Sequence, residues 1–207
     1  MMNNTVIAFQ DVSLSFELFF GQKINIFEGL ELDITKGERV GLYGPSGSGK
    51  TTIFNMIYGW VKPNTGTIQV QGSVKYLFQI PKLNRYLTCE ENLELEKFRS
   101  KTEFDINEVL ERVQLQHEIN QPFGNLSSGQ KQRLALANTI VSNTEIILAD
   151  EPFGRLDKAN TKNNLKFLEN FVDNNHITLF LASHNKKNLV NCDRIFKITN
   201  NKVSSIV

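Results

Sequence analysis

A glycine-rich stretch at residues 44–52 constrains the fold of this chain more than any other feature of its sequence. The stretch fits the pattern G-x-x-x-x-G-K-[ST], with Lys50 and Thr51 in the last two positions. Its glycines let backbone N–H groups converge on anionic oxygens, Lys50 brings a positive charge to the terminal phosphates, and the Thr51 hydroxyl can hold Mg²⁺. The pattern therefore predicts a cradle for a nucleoside triphosphate. The residues expected to line it are Gly44, Pro45, Ser46, Gly47, Ser48, Gly49, Lys50, Thr51 and Thr52.

The sequence around this loop indicates an α/β fold. A short apolar strand, 39–43, leads into the loop and a helical pattern, 52–58, follows it, which is the strand–loop–helix order that a phosphate-binding loop requires. Later strands are predicted at 145–150, 177–182 and near Ile195 and Val203, and later helices at 129–141 and 159–172. Such alternation favours a mainly parallel sheet that is covered by helices on both faces.

Two other regions have a different character. The first part of the chain is rich in strands, which are predicted at 6–9, 12–18, 26–34, 67–70 and 74–78. Residues 81–121 instead have apolar positions at helical spacing, with capping boxes predicted at Thr88–Glu91 and Asp105–Glu108. We therefore predict a single domain over residues 1–207, with β-rich and core parts at about 1–80 and 126–207 and a short helical subdomain inserted at about 81–125.

The composition argues against several classes of protein. The formal net charge is +1 and no long block of Lys and Arg is present, so no nucleic-acid partner is expected. Cys89 and Cys192 lie far apart without clustered histidines, which disfavours a metal centre or a disulfide framework and favours a reducing compartment. No signal peptide is recognised, and the longest apolar run, 177–182, is far shorter than the roughly 20 residues that span a bilayer. A role at the membrane would therefore need a partner protein.

A second motif lies at residues 146–151, where an apolar run ends in two acids. This is the pattern of a buried parallel strand that delivers carboxylates at its C-terminal end. Combined with a phosphate loop it is a common NTPase arrangement, in which Asp150 holds Mg²⁺ through water and Glu151 polarises an attacking water. The alternative for Glu151 is a solvated charge or a cap ahead of Pro152.

Between these two motifs lies a third one, made of Leu126, Ser127, Ser128, Gly129 and Gln130. With it, essentially the whole chain resembles the nucleotide-binding subunit of an ATP-binding cassette (ABC) transporter. The signature of that family is L-S-G-G-Q, so Ser128 departs from it at the third position, where serine is less permissive than glycine at positive φ. The resemblance implies that Ser127 and Gly129 touch the γ-phosphate of a nucleotide held by the other protomer of a dimer.

The resemblance also implies the remaining roles in the site. Gln79 would contact Mg²⁺ and sense the membrane partner, Asp157 would let two sites communicate across the dimer, and His184 would bind the γ-phosphate. Phe16 is the expected adenine-stacking residue, with Phe19 and Phe20 as alternatives. The implied fold is a P-loop NTPase core with an N-terminal antiparallel β-subdomain and an inserted helical subdomain, the ABC ATPase fold.

The function implied by the resemblance is ATP-driven closure of a head-to-tail homodimer. Each ATP, with Mg²⁺, would lie between Lys50 of one chain and Ser127 of the other, with Glu151 activating water. Closure would drive integral membrane permease subunits, so the chain would be cytoplasmic and peripheral on the inner face of the cell membrane. The motifs look most like the lipoprotein-release, macrolide and peptide export, and cell-division group. The alternatives are an ATP switch that acts on a membrane protein without transport and a non-membrane cassette protein that acts on nucleic acid.

Overall fold

The computed structural model describes residues 4–17, 21–154 and 158–206. The strands are β1 (Thr5–Glu17), β2 (Lys23–Thr35), β3 (Arg39–Tyr43), β4 (Thr65–Val70), β5 (Val74–Leu77), β6 (Ile146–Asp150), β7 (Thr178–Ser183), β8 (Arg194–Thr199) and β9 (Lys202–Ser205). The helices are α1 (Lys50–Ile57), α2 (Cys89–Ser100), α3 (Ile106–Arg112), α4 (Ser128–Val141) and α5 (Lys158–Asn174). This alternation of strands and helices agrees with the predicted α/β fold.

The β-rich start of the chain forms a three-stranded antiparallel sheet in the order β2-β1-β4. The two strands predicted at 6–9 and 12–18 are one strand, β1, so the predicted break was wrong. In its place lies a β-bulge, where the register shifts between Phe9 and Val12 and Asp11 takes a φ of 49°. The bulge keeps both Phe9 and Val12 pointing into the core, because two apolar residues three apart would otherwise face opposite sides of the sheet.

The second sheet has six strands in the order β5-β6-β7-β3-β8-β9. The pairs from β5 to β8 are parallel, and only the last strand, β9, runs antiparallel. Tyr43 pairs with Ser183, and Asp150 pairs with Ala182, so the carboxyl ends of β3, β6 and β7 meet at one edge of the sheet. The loops that follow these strands therefore converge at that edge, which is where α/β sheets bind their ligands.

Three apolar clusters hold these elements together. The first lies between the two sheets and includes Phe54 of α1, the second packs α5 on the other face of the parallel sheet, and the third joins α2 and α3 to α4. The inserted helices thus contact the core largely through α4, which follows the signature motif.

The two predicted capping boxes have different outcomes. At the start of α2 both hydrogen bonds of a capping box are present, from Glu91 N–H to the Thr88 hydroxyl and from Thr88 N–H to the Glu91 carboxylate. At α3 the second half of the prediction was wrong. Asp105 accepts hydrogen bonds from backbone N–H groups, but Glu108 pairs with Arg112 one helical turn later instead of reaching back. An arginine at i+4 offers that carboxylate a charged partner.

Candidate active site

The phosphate loop bends sharply between β3 and α1. Glycines occupy the positions at which any other residue would have a strained backbone conformation. Gly47 has a φ of 80°, and Gly49, which caps α1, has a φ of 100°. A Cβ on Gly49 would also lie 2.6 Å from Cζ of Phe27, which belongs to β2. The loop can therefore bring its backbone close to the β1–β2 hairpin only because this position has no side chain.

The side chain of Lys50 is buried and folds back onto the phosphate loop. Its Nζ donates hydrogen bonds to the carbonyl oxygens of Gly44 and Pro45, at 2.8 and 2.9 Å. The same Nζ lies 3.3 Å from Oε1 of Glu151, so the two opposite charges form an ion pair. An anion that enters the loop would compete with the Glu151 carboxylate for this cation.

Asp150 ends the buried strand β6 and receives two hydroxyl groups on the same carboxylate oxygen. Thr51 Oγ1 donates to Oδ2 at 2.6 Å, and Tyr76 Oη donates to it at 3.1 Å. Burial and the negative charge of Asp150 raise the pKa of Tyr76 well above its ordinary value, so the phenol keeps the proton that it donates. Because the Thr51 hydroxyl donates its proton to Asp150, the lone pairs of its oxygen remain available to a cation.

This pair of oxygen groups fits Mg²⁺, which prefers hard oxygen ligands and usually keeps water and substrate phosphates as the others. Within residues 4–17, 21–154 and 158–206, no group of three or more His, Cys, Asp or Glu side chains could hold a metal by itself. The oxygen atoms of Thr51 and Asp150 suit an ion that takes its other ligands from water and phosphate.

Glu151 follows β6 in a strained backbone conformation, with a φ of 44° in the left-handed region that favours glycine. Its Oε2 lies 2.6 Å from Nδ1 of His184, and its other oxygen pairs with Lys50. The Glu151 side chain is only 14% exposed, whereas that of His184 is 53% exposed. Glu151 is thus a mostly buried, doubly paired carboxylate, unlike the solvated charge that was its alternative.

Gln79 lies at the same edge of the sheet, two residues after β5. Its side-chain Nε2 and the Glu151 Oε2 both flank Gly154, since a Cβ built there would lie 3.7 and 3.6 Å from them. The Gln79 carbonyl accepts a hydrogen bond from Gln132 of α4 at 2.6 Å, which connects this residue to the helix of the signature motif. The sheet edge thus brings together Gln79, Glu151 and the residues paired with them.

The signature motif lies at the start of α4. Ser127 caps α4 through a capping box with Gln130, and Ser128 is the first residue of the helix, with a negative φ. Both serines are exposed. In the described part of the chain, the hydrogen bonds of residues 126–130 stay within the helical region and do not reach the phosphate loop.

Phe16 is the remaining predicted site residue that the structure describes. It lies in the β1–β2 hairpin opposite Ile24 and is 44% exposed. The same hairpin contributes Phe27, which underlies Gly49, so Phe16 is carried by the hairpin that borders the phosphate loop. The other predictions, Phe19, Phe20 and Asp157, fall outside the described residues.

Two features of the site were not anticipated from the sequence: the Lys50–Glu151 ion pair and the contact of Tyr76 with Asp150. The second depends on β5 lying beside β6, with Tyr76 paired to Leu148 two residues before Asp150. The alternation of Tyr76, Leu77 and Phe78 indicates which residues share a face of β5, but not which strand lies next to them.

The chain is similar to known proteins in sequence and in structure. The family described as ABC transporter matches residues 27–154. The lipoprotein-releasing system ATP-binding protein LolD of Francisella tularensis subsp. holarctica is 28% identical over 229 residues, which cover 100% of this chain and 99% of LolD. The bicarbonate transport ATP-binding protein CmpC of Synechococcus elongatus is 31% identical over 97% of this chain, which spans only 33% of CmpC. The dimeric structure of MJ0796, a bacterial ABC transporter cassette, is 26% identical with a TM-score of 0.84, over 96% of each chain.

These similarities agree with the order and placement of the three motifs. The family match includes the phosphate loop, the signature motif and the acidic end of β6, and the likeness to MJ0796 extends over both sheets and the inserted helices. Among the described residues, every helix is too short or too polar to cross a bilayer. The chain belongs to the ABC transporter family, in which it is an ATP-binding and ATP-hydrolysing cassette.

Proposed function

We propose that this cassette works as a head-to-tail homodimer that drives membrane-spanning partner subunits of a transporter. The observation that carries the proposal is the meeting of Lys50, Glu151 and His184 at one edge of the parallel sheet, beside Asp150 and Thr51. A cation for the phosphates, a base for water and oxygen ligands for a metal ion are the groups that phosphoryl transfer to water requires.

Lys50 and Glu151 would change partners when ATP binds. The triphosphate carries more negative charge than one carboxylate, so it would draw the Lys50 ammonium away from Glu151. Released from this ion pair, Glu151 would accept a proton from the attacking water. His184, which lies 2.6 Å from the second oxygen of Glu151, would then lie close enough to contact the γ-phosphate as well.

Thr51, Asp150 and Gln79 would hold Mg²⁺, with Asp150 acting through water. When bound, the ion would neutralise charge on the phosphates during transfer. Oγ1 of Thr51 lies 2.6 Å from Oδ2 of Asp150, and both are hard oxygen ligands of the kind that Mg²⁺ prefers. Gln79 follows β5, which pairs with β6, and its side-chain amide lies near Gly154 as Glu151 does, so the amide could complete the set.

The signature residues support a site shared by two chains. Ser127 and Ser128 are exposed at the start of a helix of 14 residues, whose first N–H groups favour an anion. Their described hydrogen bonds leave this surface open to a second chain, and the similar cassette MJ0796 forms dimers. In such a dimer Ser127 and Gly129 would contact the ATP of the partner, Phe16 would stack on adenine, and Asp157 would connect the two sites.

A groove between β5 and α2 is the proposed docking surface for the membrane partner. It is lined by Tyr58, Tyr76, Phe78, Lys82, Leu95 and Arg99. Leu95 is exposed in this groove, Trp60 is exposed where its ring stacks on Phe78, and Ile80 is exposed next to Gln79. Exposed apolar side chains beside Gln79 suit a protein partner that responds to the state of the site. A transport partner is further supported by the relatives LolD and CmpC, which are ATP-binding proteins of a lipoprotein-releasing system and of bicarbonate transport. We propose that the chain acts on the inner, cytoplasmic face of the cell membrane through this partner.

The proposal is tested by the variant Glu151→Gln, which keeps the shape of the side chain but removes the base. We expect ATP hydrolysis to fall by at least about 100-fold, because general-base catalysis contributes that much. Bound ATP would then remain uncleaved and hold two chains together. Sizing with light scattering should show a dimer with ATP and a monomer with ADP.

The matched control is Glu111→Gln, an exposed acid on α3, which should hydrolyse ATP at the unmutated rate. If the Glu151→Gln protein still hydrolyses ATP at the unmutated rate, Glu151 is not the general base. One that loses hydrolysis but stays monomeric with ATP would contradict the ATP-held homodimer.

A further inference from the structure

Tyr76 joins the candidate metal site to a cluster of aromatic rings. Its side chain is 5% exposed, and a buried phenol needs a hydrogen-bond partner. The partner is Oδ2 of Asp150, at 3.1 Å, the same oxygen that accepts a hydrogen bond from Thr51. Two donors on one oxygen fix how the carboxylate is turned, as outer hydrogen bonds do for metal ligands.

The ring of Tyr76 lies in a continuous stack that leads away from Asp150. It stacks on Phe78, which directly follows β5, with ring centres 4.1 Å apart and planes 15° apart. Phe78 stacks in turn on Trp60, at 5.7 Å and 11°, and Trp60 also stacks directly on Tyr76, at 5.9 Å and 26°. A tilt or shift of the Tyr76 ring therefore changes its stacking on both Phe78 and Trp60.

The far end of this stack reaches the surface. Trp60 is 54% exposed, and the Lys82 ammonium lies 4.3 Å from the ring centre of Phe78 and 5.1 Å from that of Trp60. Phe78 and Lys82 flank Gln79 in the sequence and belong to the groove beside α2. The rings thus connect Asp150, the carboxylate proposed to hold the metal ion, to an exposed surface.

We propose that Tyr76 is a positioning residue for Asp150 and that, through its ring, the exposed surface of Trp60, Phe78 and Lys82 senses whether Mg²⁺ and nucleotide occupy the site. The proposal rests on the metal role of Asp150 proposed above. Coupling of this kind acts in both directions, so whatever contacts Trp60 and Lys82 also changes the affinity of the site for its ion. The route is distinct from that of Gln79, because it starts at the carboxylate and runs through stacked rings.

The test uses Tyr76→Phe, which removes the hydroxyl and keeps the stack. Trp60 is the only tryptophan of the chain, so its fluorescence reports on the exposed end alone. With a saturating non-hydrolysable ATP analogue, Mg²⁺ is titrated while Trp60 emission is recorded, and calorimetry measures Mg²⁺ affinity independently. We expect a saturable change of emission in the unmutated protein and a half-saturating Mg²⁺ concentration about tenfold higher in Tyr76→Phe.

Tyr58→Phe is the matched control, because its ring contacts Trp60 and Tyr76 and its hydroxyl makes no hydrogen bond within the described residues. It should titrate like the unmutated protein. A Tyr76→Phe midpoint within twofold of both would overturn the positioning role. Calorimetric Mg²⁺ binding without a change of Trp60 emission would overturn the relay. If the unmutated protein bound nucleotide equally well without Mg²⁺, the metal role of Asp150 would fail, and this inference with it.

Discussion

At the scale of single residues, Ser128 shows that a departure from a family motif can be neutral for the backbone. The backbone would require a glycine at this position only if φ were positive, and Ser128 instead begins α4 with a negative φ. Ser127 has the more demanding position, since its hydroxyl accepts the hydrogen bond from Gln130 N–H that caps the helix. The concern raised by serine in the motif therefore does not apply to the conformation that the chain adopts.

Replacing Ser128 with glycine should consequently bring no gain in activity. We expect Ser128→Gly to change ATP hydrolysis by less than about twofold and to lower the free energy of unfolding by up to about 1 kcal/mol, because glycine loses more backbone entropy in a helix. Ser127→Ala should cost about 1 kcal/mol through the lost cap and should also reduce hydrolysis. Urea unfolding and a steady-state ATPase assay measure both quantities. Hydrolysis that rises several-fold in Ser128→Gly would show that the serine obstructs the site.

At the scale of secondary-structure elements, one charged contact ties the turn before β3 to β8. The Arg194 guanidinium donates hydrogen bonds to both carboxylate oxygens of Glu38, and Thr35 donates to Glu38 from its N–H and its hydroxyl. Burial raises the pKa of Glu38, but these hydrogen bonds outweigh burial and leave the pKa below its ordinary value of 4.5. The ionised form of Glu38 is therefore more stable in the folded chain than in the unfolded one.

This shift predicts a pH-dependent stability. A carboxylate with a lowered folded-state pKa stabilises the fold above its unfolded pKa, and that contribution is lost as the pH falls through the folded value. We expect Glu38→Gln to lower the free energy of unfolding by about 1–2 kcal/mol at pH 7, with the difference from the unmutated protein shrinking below pH 4.5. Urea unfolding at several pH values measures this. Glu145→Gln, which breaks an exposed ion pair with Lys36, is the control and should have little effect at any pH. A Glu38→Gln deficit that does not change with pH would contradict the assigned pKa shift.

Element types were largely predictable from local pattern, whereas neighbours in space were not. The fully buried strand β6 and the helix after the phosphate loop follow from runs of apolar residues and from the loop motif. The β-bulge at Asp11 was missed, because a polar residue between two apolar stretches also fits the end of a strand. The order of the six-stranded sheet depends on packing between distant segments, so the contact of Tyr76 with Asp150 could not be read from the chain.

At the scale of the whole molecule, the residues proposed for the site form two groups that make no described hydrogen bond or ion pair with each other within one chain. Lys50, Glu151 and His184 lie together at the sheet edge, while Ser127 lies exposed at the start of α4 with its hydrogen bonds in the helical region. The division follows from the fold, since the first set comes from loops after parallel strands and the second from the helices packed beside them. In a head-to-tail dimer, each of the two sites would combine the first group of residues from one chain with the second group from the other chain.

Mixing two inactive variants distinguishes a shared site from one completed within a single chain. Lys50→Ala and Ser127→Arg should each abolish hydrolysis, but a mixed dimer has one site with Lys50 from one chain and Ser127 from the other. Because half of the dimers in an equal mixture are mixed and each has one intact site of two, about a quarter of the unmutated ATPase activity should return. A mixture of Lys50→Ala with Glu151→Gln is the control. Lys50 and Glu151 belong to the same group, 3.3 Å apart, so no mixed dimer has an intact site and activity should stay absent. Equal activity in the two mixtures would contradict the shared site, because only a site completed by the partner's signature residues separates them.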